Sequence, residues 1–336
     1  MDLTLCLPLR ETGETHVNFY THLEHTVNTI TAQGETMLKP RQLLVATLVL
    51  CTAWSTKAQT VEKIIWLQSK TPPFHLPRTT EYPFAGLCDE LLNQLITNMP
   101  NIEHEKLLLP QKRIHRYMNE GEKVCFPCMI HRNKDTHTAR LSIPTAVYPP
   151  FALITTVDKR DKLTQVHGKP INLASLFADD SFTYGQVAAR RFSGELQTLL
   201  QQTAHSRPAV LSYRADGESD AIAEMLQHDI IDYTLDYPYM ARYFAKKYGN
   251  IRALETNLTQ DLVRGAVGCS ASAADGFAEQ AISAINKALN QDVLENTNYV
   301  LSQRFWLAPY FTDFDAVYKT HVLKATDEQP PSTQDP

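Results

Sequence analysis

Apolar positions along this chain fall into two alternating patterns, short β-rich runs and longer stretches with helical spacing. Residues 63–67 (KIIWL) form an apolar run closed by Ser69, Pro72 and Pro73, which predicts a buried strand. Residues 85–97 then carry Leu87, Leu91, Leu92, Leu95 and Ile96 on one helical face. A helix over 111–119 and a strand over 124–130 continue the alternation. Residues 151–157 (FALITTV) read as a strand crossing into a second unit, where the alternation resumes. There we expect a helix at 173–177 entered through Asn172, a strand at 181–184, a loop over 185–194 and a helix at 195–203 capped by Ser193. A helix at 220–226, a strand at 230–235 and a helix at 238–247 follow, then a strand at 266–269 and an amphipathic helix at 276–290. Strands alternating with helices imply an α/β protein with mostly parallel sheets. No repeat of 20 to 50 residues is visible, which excludes solenoids and propellers.

The N-terminal region departs from this pattern. The run from Leu43 to Trp54 is far shorter than the roughly 20 residues needed to span a membrane. Lys39 and Arg41 precede it, and Thr56 and Ala58 stand at the small-residue positions that a signal peptidase reads. We therefore expect a secretory signal over 37–58, beginning at Met37 and cleaved near Ala58, and a periplasmic location. Residues 1–36 are polar and Thr-rich, and we expect them to be an over-extended gene start. Residues 323–336, rich in Pro, Asp, Gln and Thr, read as a solvated tail.

Composition narrows the function classes. With 43% hydrophobic and 21% charged residues the chain has the make-up of a globular protein, and 336 residues allow two domains. A formal charge of -5 without a Lys/Arg run argues against nucleic acid as a partner. Past the signal, four cysteines remain: Cys88, Cys125, Cys128 and Cys269. Cys125 and Cys128 have a redox or zinc spacing, with His131 and His137 nearby, but they fall in a strand. Residues three apart on a strand face opposite sides unless Pro127 breaks it, so we expect no metal centre, catalytic dithiol or cofactor. Arg190, Arg191, Phe192 and Ser193 lead into a predicted helix, combining guanidinium groups with helix N-terminal amides. That set suits a carboxylate or phosphate. Phe74 and Trp66, near the end of the first strand, are candidates to enclose an apolar part of a ligand.

Several ordered features together resemble the type 2 periplasmic binding fold, in particular the family 3 extracellular solute-binding proteins that include polar amino-acid binders. They are Trp66 with Pro72-Pro73-Phe74, Gly86-Leu87-Cys88-Asp89-Glu90, Ser142-Ile143-Pro144, the stretch from Ile231-Asp232-Tyr233 to Asp236-Tyr237-Pro238, and Gly268-Cys269 followed by residues 285–289. The resemblance implies two α/β lobes joined by two crossovers that form a hinge: lobe 1 from 60–155 plus 262–322, lobe 2 from 156–261. It implies a ligand in the interlobe cleft and closure by hinge motion. Asp236 stands where such proteins often carry an acid that pairs with a ligand amine. The Arg that holds an α-carboxylate seven residues before the Ser of Ser-x-Pro is replaced here by Asp135, leaving Arg132 or Arg140 as substitutes.

The fold implied would also bring Cys269 beside Cys125 or Cys128. Four cysteines allow three full pairings; we take Cys125 with Cys269 as the disulfide and Cys88 as a buried free thiol. The reading that follows is an exported, monomeric binding protein for a small anionic or zwitterionic molecule, handed to a membrane transporter or sensor, with no chemistry of its own. An enzyme on the same scaffold, similar to cyclohexadienyl dehydratase and using Asp236 or Asp135, is the alternative, followed by an orphan sensory or regulatory module.

Overall fold

The computed structural model describes residues 60–131, 135–187, 190, 192, 194–203, 211–213, 218–258 and 262–324. The leader, the signal segment, Arg132, Arg191, Ser193 and the tail from 325 lie outside the described residues. Two sheets organise the rest. The first is six-stranded, in the order β2 (Glu103–Leu108), β1 (Lys63–Gln68), β3 (Val124–Ile130), β11 (Val263–Ser270) and β4 (Ala139–Leu141), with β5 (Ala146–Tyr148) also on β11. Pairing is parallel across β2-β1-β3. The returning strand β11 runs antiparallel to β3, β4 and β5, because the chain re-enters this sheet from the opposite end.

In the second sheet β6 (Ala152–Thr156) lies between β10 (Ile251–Leu254) and β9 (Tyr233–Asp236), antiparallel to both. A parallel pair, β7 (Gly185–Val187) with β8 (Leu211–Tyr213), reaches β9 through a bridge between Tyr184 and Tyr233. The loop expected from 185 is thus a strand at its start. Helix α3 (Val157–His167) follows β6 directly; its apolar signal was too weak to mark it, since Leu163 is its fully buried apolar residue. Helix α4 (Leu173–Phe177) begins at Asn172, whose side chain accepts from Ser175 N at 3.0 Å.

Strand β2 has no apolar run. Its sequence EHEKLL is mostly exposed, and Lys63 on β1 bridges Glu103 at 2.9 Å and Glu105 at 2.8 Å. Helix α1 (Leu87–Asn98) covers β1 and β3 with Leu87, Leu91, Leu92 and Leu95. At its start Gly86 is pressed against the carbonyl of Phe74, so that a Cβ there would collide with backbone. Leu87 N and Cys88 N donate to the carbonyls of Pro73 and Phe74 at 3.1 and 2.9 Å, which satisfies helix-end amides and pins the loop carrying Phe74 and His75.

One apolar core runs through both sheets. Trp66, Leu91, Ile285 and Trp306 of the first join Tyr239, Met240, Tyr243 and Phe244 of α7 (Pro238–Tyr248). Tyr82 lies between Tyr243 and Trp306, with ring centroids at 6.1 and 5.6 Å. Arg242 of α7 stacks 4.7 Å over Phe305. C-terminal helices Thr297–Leu307 and Phe314–Tyr318 complete this layer, and a π-helical turn over Lys319–Leu323 extends it into the start of the expected tail.

Among the described residues the cysteines form two bonds, Cys125–Cys269 and Cys88–Cys128. Cys88 is therefore not a free thiol. Between Phe126↔Gly268 and Met129↔Ala266 the β3–β11 register shifts, so that Pro127 and Cys128 together face the single residue Val267. This bulge reverses the alternation of β3. Cys125 and Cys128 then reach partners on the α1 side of the sheet, while Phe126 and Met129 pack with Ile114 and Met118 on the other.

Candidate interlobe site

The junction of the two sheets is built from strand ends and the loops after them. Phe74 follows β1, Tyr148 ends β5, Phe151 lies just before β6, and Asp236 ends β9. Pro238 at the first position of α7 fixes the helix start, which sets Tyr237 and Tyr239 beside each other. Their rings stack at 5.2 Å with a 9° interplanar angle. Phe151 stacks on Tyr237 at 4.4 Å and meets Phe192 edge-on at 5.0 Å. Phe74 contacts Tyr148, Tyr237 and Tyr239 at 6.0, 6.2 and 5.6 Å. Each such ring pair contributes about 0.5–1.5 kcal/mol beyond its buried area.

Under this wall lies a buried ion pair. Arg190 Nη2 donates to Asp236 Oδ2 at 2.5 Å, with the two side chains 16% and 8% exposed. The backbone N–H of Tyr237 donates to Asp236 Oδ1 at 2.7 Å. The Arg190 guanidinium also stands 5.7 Å over the Tyr237 ring. Gln186 Nε2 donates to the Arg190 carbonyl, and Tyr184 Oη donates to Gln186 Oε1, both at 3.1 Å. Burial pushes the Asp236 carboxyl up from its ordinary range, while the Arg190 charge and the Tyr237 amide pull it back. Burial also raises the phenols of Tyr148, Tyr237 and Tyr239, which are neutral donors at pH 7.

Arg190, Phe192, Asp236 and Phe74 are thus brought together, and the guanidinium of Arg190 occupies the acid that sequence reasoning reserved for a ligand amine. Among the described residues the junction is filled with rings. Trp66 is elsewhere: it is fully buried in the core and its Nε1 donates to His104 Nδ1 at 3.0 Å. The center of a strand covered on both faces leaves it no route to the junction. Arg140 pairs on the surface with Asp135 at 3.1 Å and Glu279 at 2.9 Å, so it does not replace the missing carboxylate-binding Arg. Asp135 Oδ1 accepts from Leu141 N at 2.8 Å and holds β4 in place. Ser142 is fully buried, and its Oγ accepts from Val267 N at 2.9 Å, which adds a rung between β4 and β11.

Sequence reasoning missed Tyr148, Phe151 and Tyr239. The Tyr237-Pro238-Tyr239 triplet at a strand-to-helix junction was the available signal.

No protein-family model matches the sequence, and no curated protein matches it. Solved structures do match in fold. One, from glutathione import in Gram-positive bacteria via GshT and the cystine ABC importer TcyBC of Streptococcus mutans, superimposes with a TM-score of 0.56 at 12% identity. The match covers 76% of this chain and 99% of that one. An ancestral arginine-binding protein bound to arginine gives 0.53 at 12% identity, covering 74% and 99%. A histidine kinase sensor domain with similarity to periplasmic binding proteins gives 0.53 at 12%, covering 74% and 96%. The chain has the two-lobed α/β architecture of the type 2 periplasmic binding fold.

Proposed function

We propose that this chain is an exported solute-binding protein that captures a small polar solute, anionic or zwitterionic, between its lobes. The first lobe is 60–155 plus 262–322 and the second 156–261. The observation that carries this reading is the buried Arg190–Asp236 pair beneath a wall drawn from both lobes. A zwitterion entering the junction exchanges one internal ion pair for two, its carboxylate on Arg190 and its amine on Asp236. Phe74, Tyr148 and Tyr237 enclose the rest, and closure selects the ligand without chemistry. Arg191 and Ser193, which precede helix α5 (Gly194–Thr203), belong to the proposed anion-binding loop. The partner is a membrane transporter or sensor.

A second reading rests on the filled junction. Rings that pack on one another across the lobes also suit a sensory or regulatory module that stays shut and acts through partner contacts. A thermal-shift screen of the purified chain with amino acids, dicarboxylates and sulfur-containing zwitterions separates the two. Ligand at about 100 times Kd stabilises the native state by about 2.7 kcal/mol. For a domain of this size that is a rise of at least about 5 °C. Under the binding reading one compound class gives that rise, and Asp236→Asn or Arg190→Met abolishes it. No response to any compound, or one that survives both substitutions, rejects the binding site and leaves the shut module.

A further inference from the structure

A second polar cluster lies within the first sheet, away from the Arg190–Asp236 pair. An imidazole nitrogen of His75 and the sulfurs of Cys88 and Cys128 lie within 4.8 Å of one another. Helix α1 supplies Cys88, the bulge in β3 supplies Cys128, and the loop pinned on the α1 N-terminus supplies His75. No local spacing announces this set, since its members stand at 75, 88 and 128.

The next residue of α1 prepares the imidazole. Asp89 Oδ1 accepts from His75 Nδ1 at 2.7 Å and from Gln68 Nε2 at 2.8 Å, and Oδ2 accepts from Leu76 N at 2.7 Å. The carboxylate oxygen beside Nδ1 favours the tautomer with its hydrogen on Nδ1 and a lone pair at Nε2. His75 is 5% exposed at the side chain, and Nε2 has no hydrogen-bond partner among the described residues. A buried polar atom in that state is unfavourable unless a ligand answers it. A carboxylate fixing the far nitrogen of a histidine is the arrangement that orients a metal ligand.

We propose that Cys88, Cys128 and His75 form a redox-gated site for one zinc ion, assembled when the Cys88–Cys128 bond is reduced. Two thiolates and one imidazole match zinc's preferred donors and leave a fourth position for an exchangeable ligand. Reduction takes two electrons and two protons from an external dithiol, which itself becomes a disulfide, and yields two thiols. Zinc then displaces both thiol protons as the Zn–S bonds form. An external disulfide, itself reduced to a dithiol with two protons from solvent, takes two electrons from the thiolates and re-forms the Cys88–Cys128 bond. The sulfurs then no longer ligate and the ion is released. His75 and Asp89 border a surface cavity of about 670 Å³, also lined by Gln68, Lys70 and Arg78, which opens the histidine side of the cluster to solvent. Cys125–Cys269 joins two adjacent strands and is fully buried.

The test is a titration of the phosphine-reduced, full-length chain with Co2+ and then Zn2+, alongside the oxidised chain. Reduced protein should take one equivalent and develop thiolate-to-cobalt charge-transfer absorption that zinc bleaches, whereas oxidised protein should show none. Cys88→Ser/Cys128→Ser, checked for fold by circular dichroism, should lose the band. His75→Gln should weaken zinc at least tenfold, and Asp89→Asn by about 10- to 100-fold with the band retained. The proposal is overturned if folded, reduced protein shows no band, or if reduction unfolds the chain and zinc does not restore it. A band that persists in the double serine variant, or wild-type affinity in His75→Gln, also overturns it.

Discussion

The Arg190–Asp236 junction is buried and the His75–Asp89 cluster partly so; both hold a carboxylate, yet they are closed in opposite ways. At the junction the carboxylate meets a guanidinium and a backbone amide at 2.5 and 2.7 Å, so both charges are answered from within the chain. In the cluster the carboxylate is answered three times over, and the imidazole it orients keeps a nitrogen without a partner among the described residues. The lesson is that burial of charge does not by itself mark a binding site. The junction needs a ligand that outcompetes an existing pair, whereas the cluster already holds an imidazole nitrogen without a partner among the described residues and needs the Cys88–Cys128 bond opened before the two sulfurs can join it.

The comparison breaks most visibly at Asp236. Asp236→Leu strands a buried guanidinium and should cost about 3–5 kcal/mol, while Arg190→Met/Asp236→Leu should regain most of it. Denaturant melts of the single and double variants measure this, and a double variant as unstable as the single one would show that the pair is not self-contained. Removing the disulfides sharpens the contrast next. Cys125→Ala/Cys269→Ala should cost about 2–5 kcal/mol. Its 144-residue separation, against 40 for Cys88–Cys128, makes it the costlier loss by about 1 kcal/mol in the chain-entropy account. Equal losses would mean that the second bond is as much a staple as the first.

A smaller effect concerns pH. Burial, then the Arg264 charge, lowers the His131 imidazole to about 4 against a weak opposing pull from Asp135. The unfolded chain takes that proton first, so this contribution is complete above pH 6.5 and is lost as pH falls through 4. Melting temperatures of His131→Gln should fall less steeply over that window than those of the wild type. Parallel curves would place the acid sensitivity elsewhere, the junction included. Least of all, Tyr239→Phe should leave stability within about 0.5 kcal/mol or raise it, because its buried hydroxyl has no partner among the described residues. A loss above about 1 kcal/mol would reveal a partner and make the junction more polar than its rings suggest.

Elements whose apolar residues carry a period were legible in the sequence. The helix over 111–119 and the strand over 124–130 lie where their spacing predicts them. Asn172 caps its helix for the reason that residue type suggests. Elements whose identity is decided by distant partners were not legible. Strand β2 has no apolar run because its charges face solvent and Lys63. The side to which Cys128 turns depends on one extra residue in a ladder formed with a strand far along the chain. Asp236 is readable as a charge at a strand end, but its partner stands 46 residues earlier, and only the folded chain shows that the partner is Arg190. Trp66 illustrates the converse: proximity to a strand end suggested a ligand wall, and alternation on a doubly covered strand placed it in the core.

The same charged strand has a meaning beyond prediction. β2 ends the strand order of the six-stranded sheet, and the side on which no described strand pairs with it is a template on which a strand of another molecule could be laid. Glu103, Glu105 and Lys106 place exposed charges along that strand. A strand arriving edge to edge would have to strip water from those charges. Among the described residues this border is marked by charge, the kind of edge that disfavours the addition of another strand.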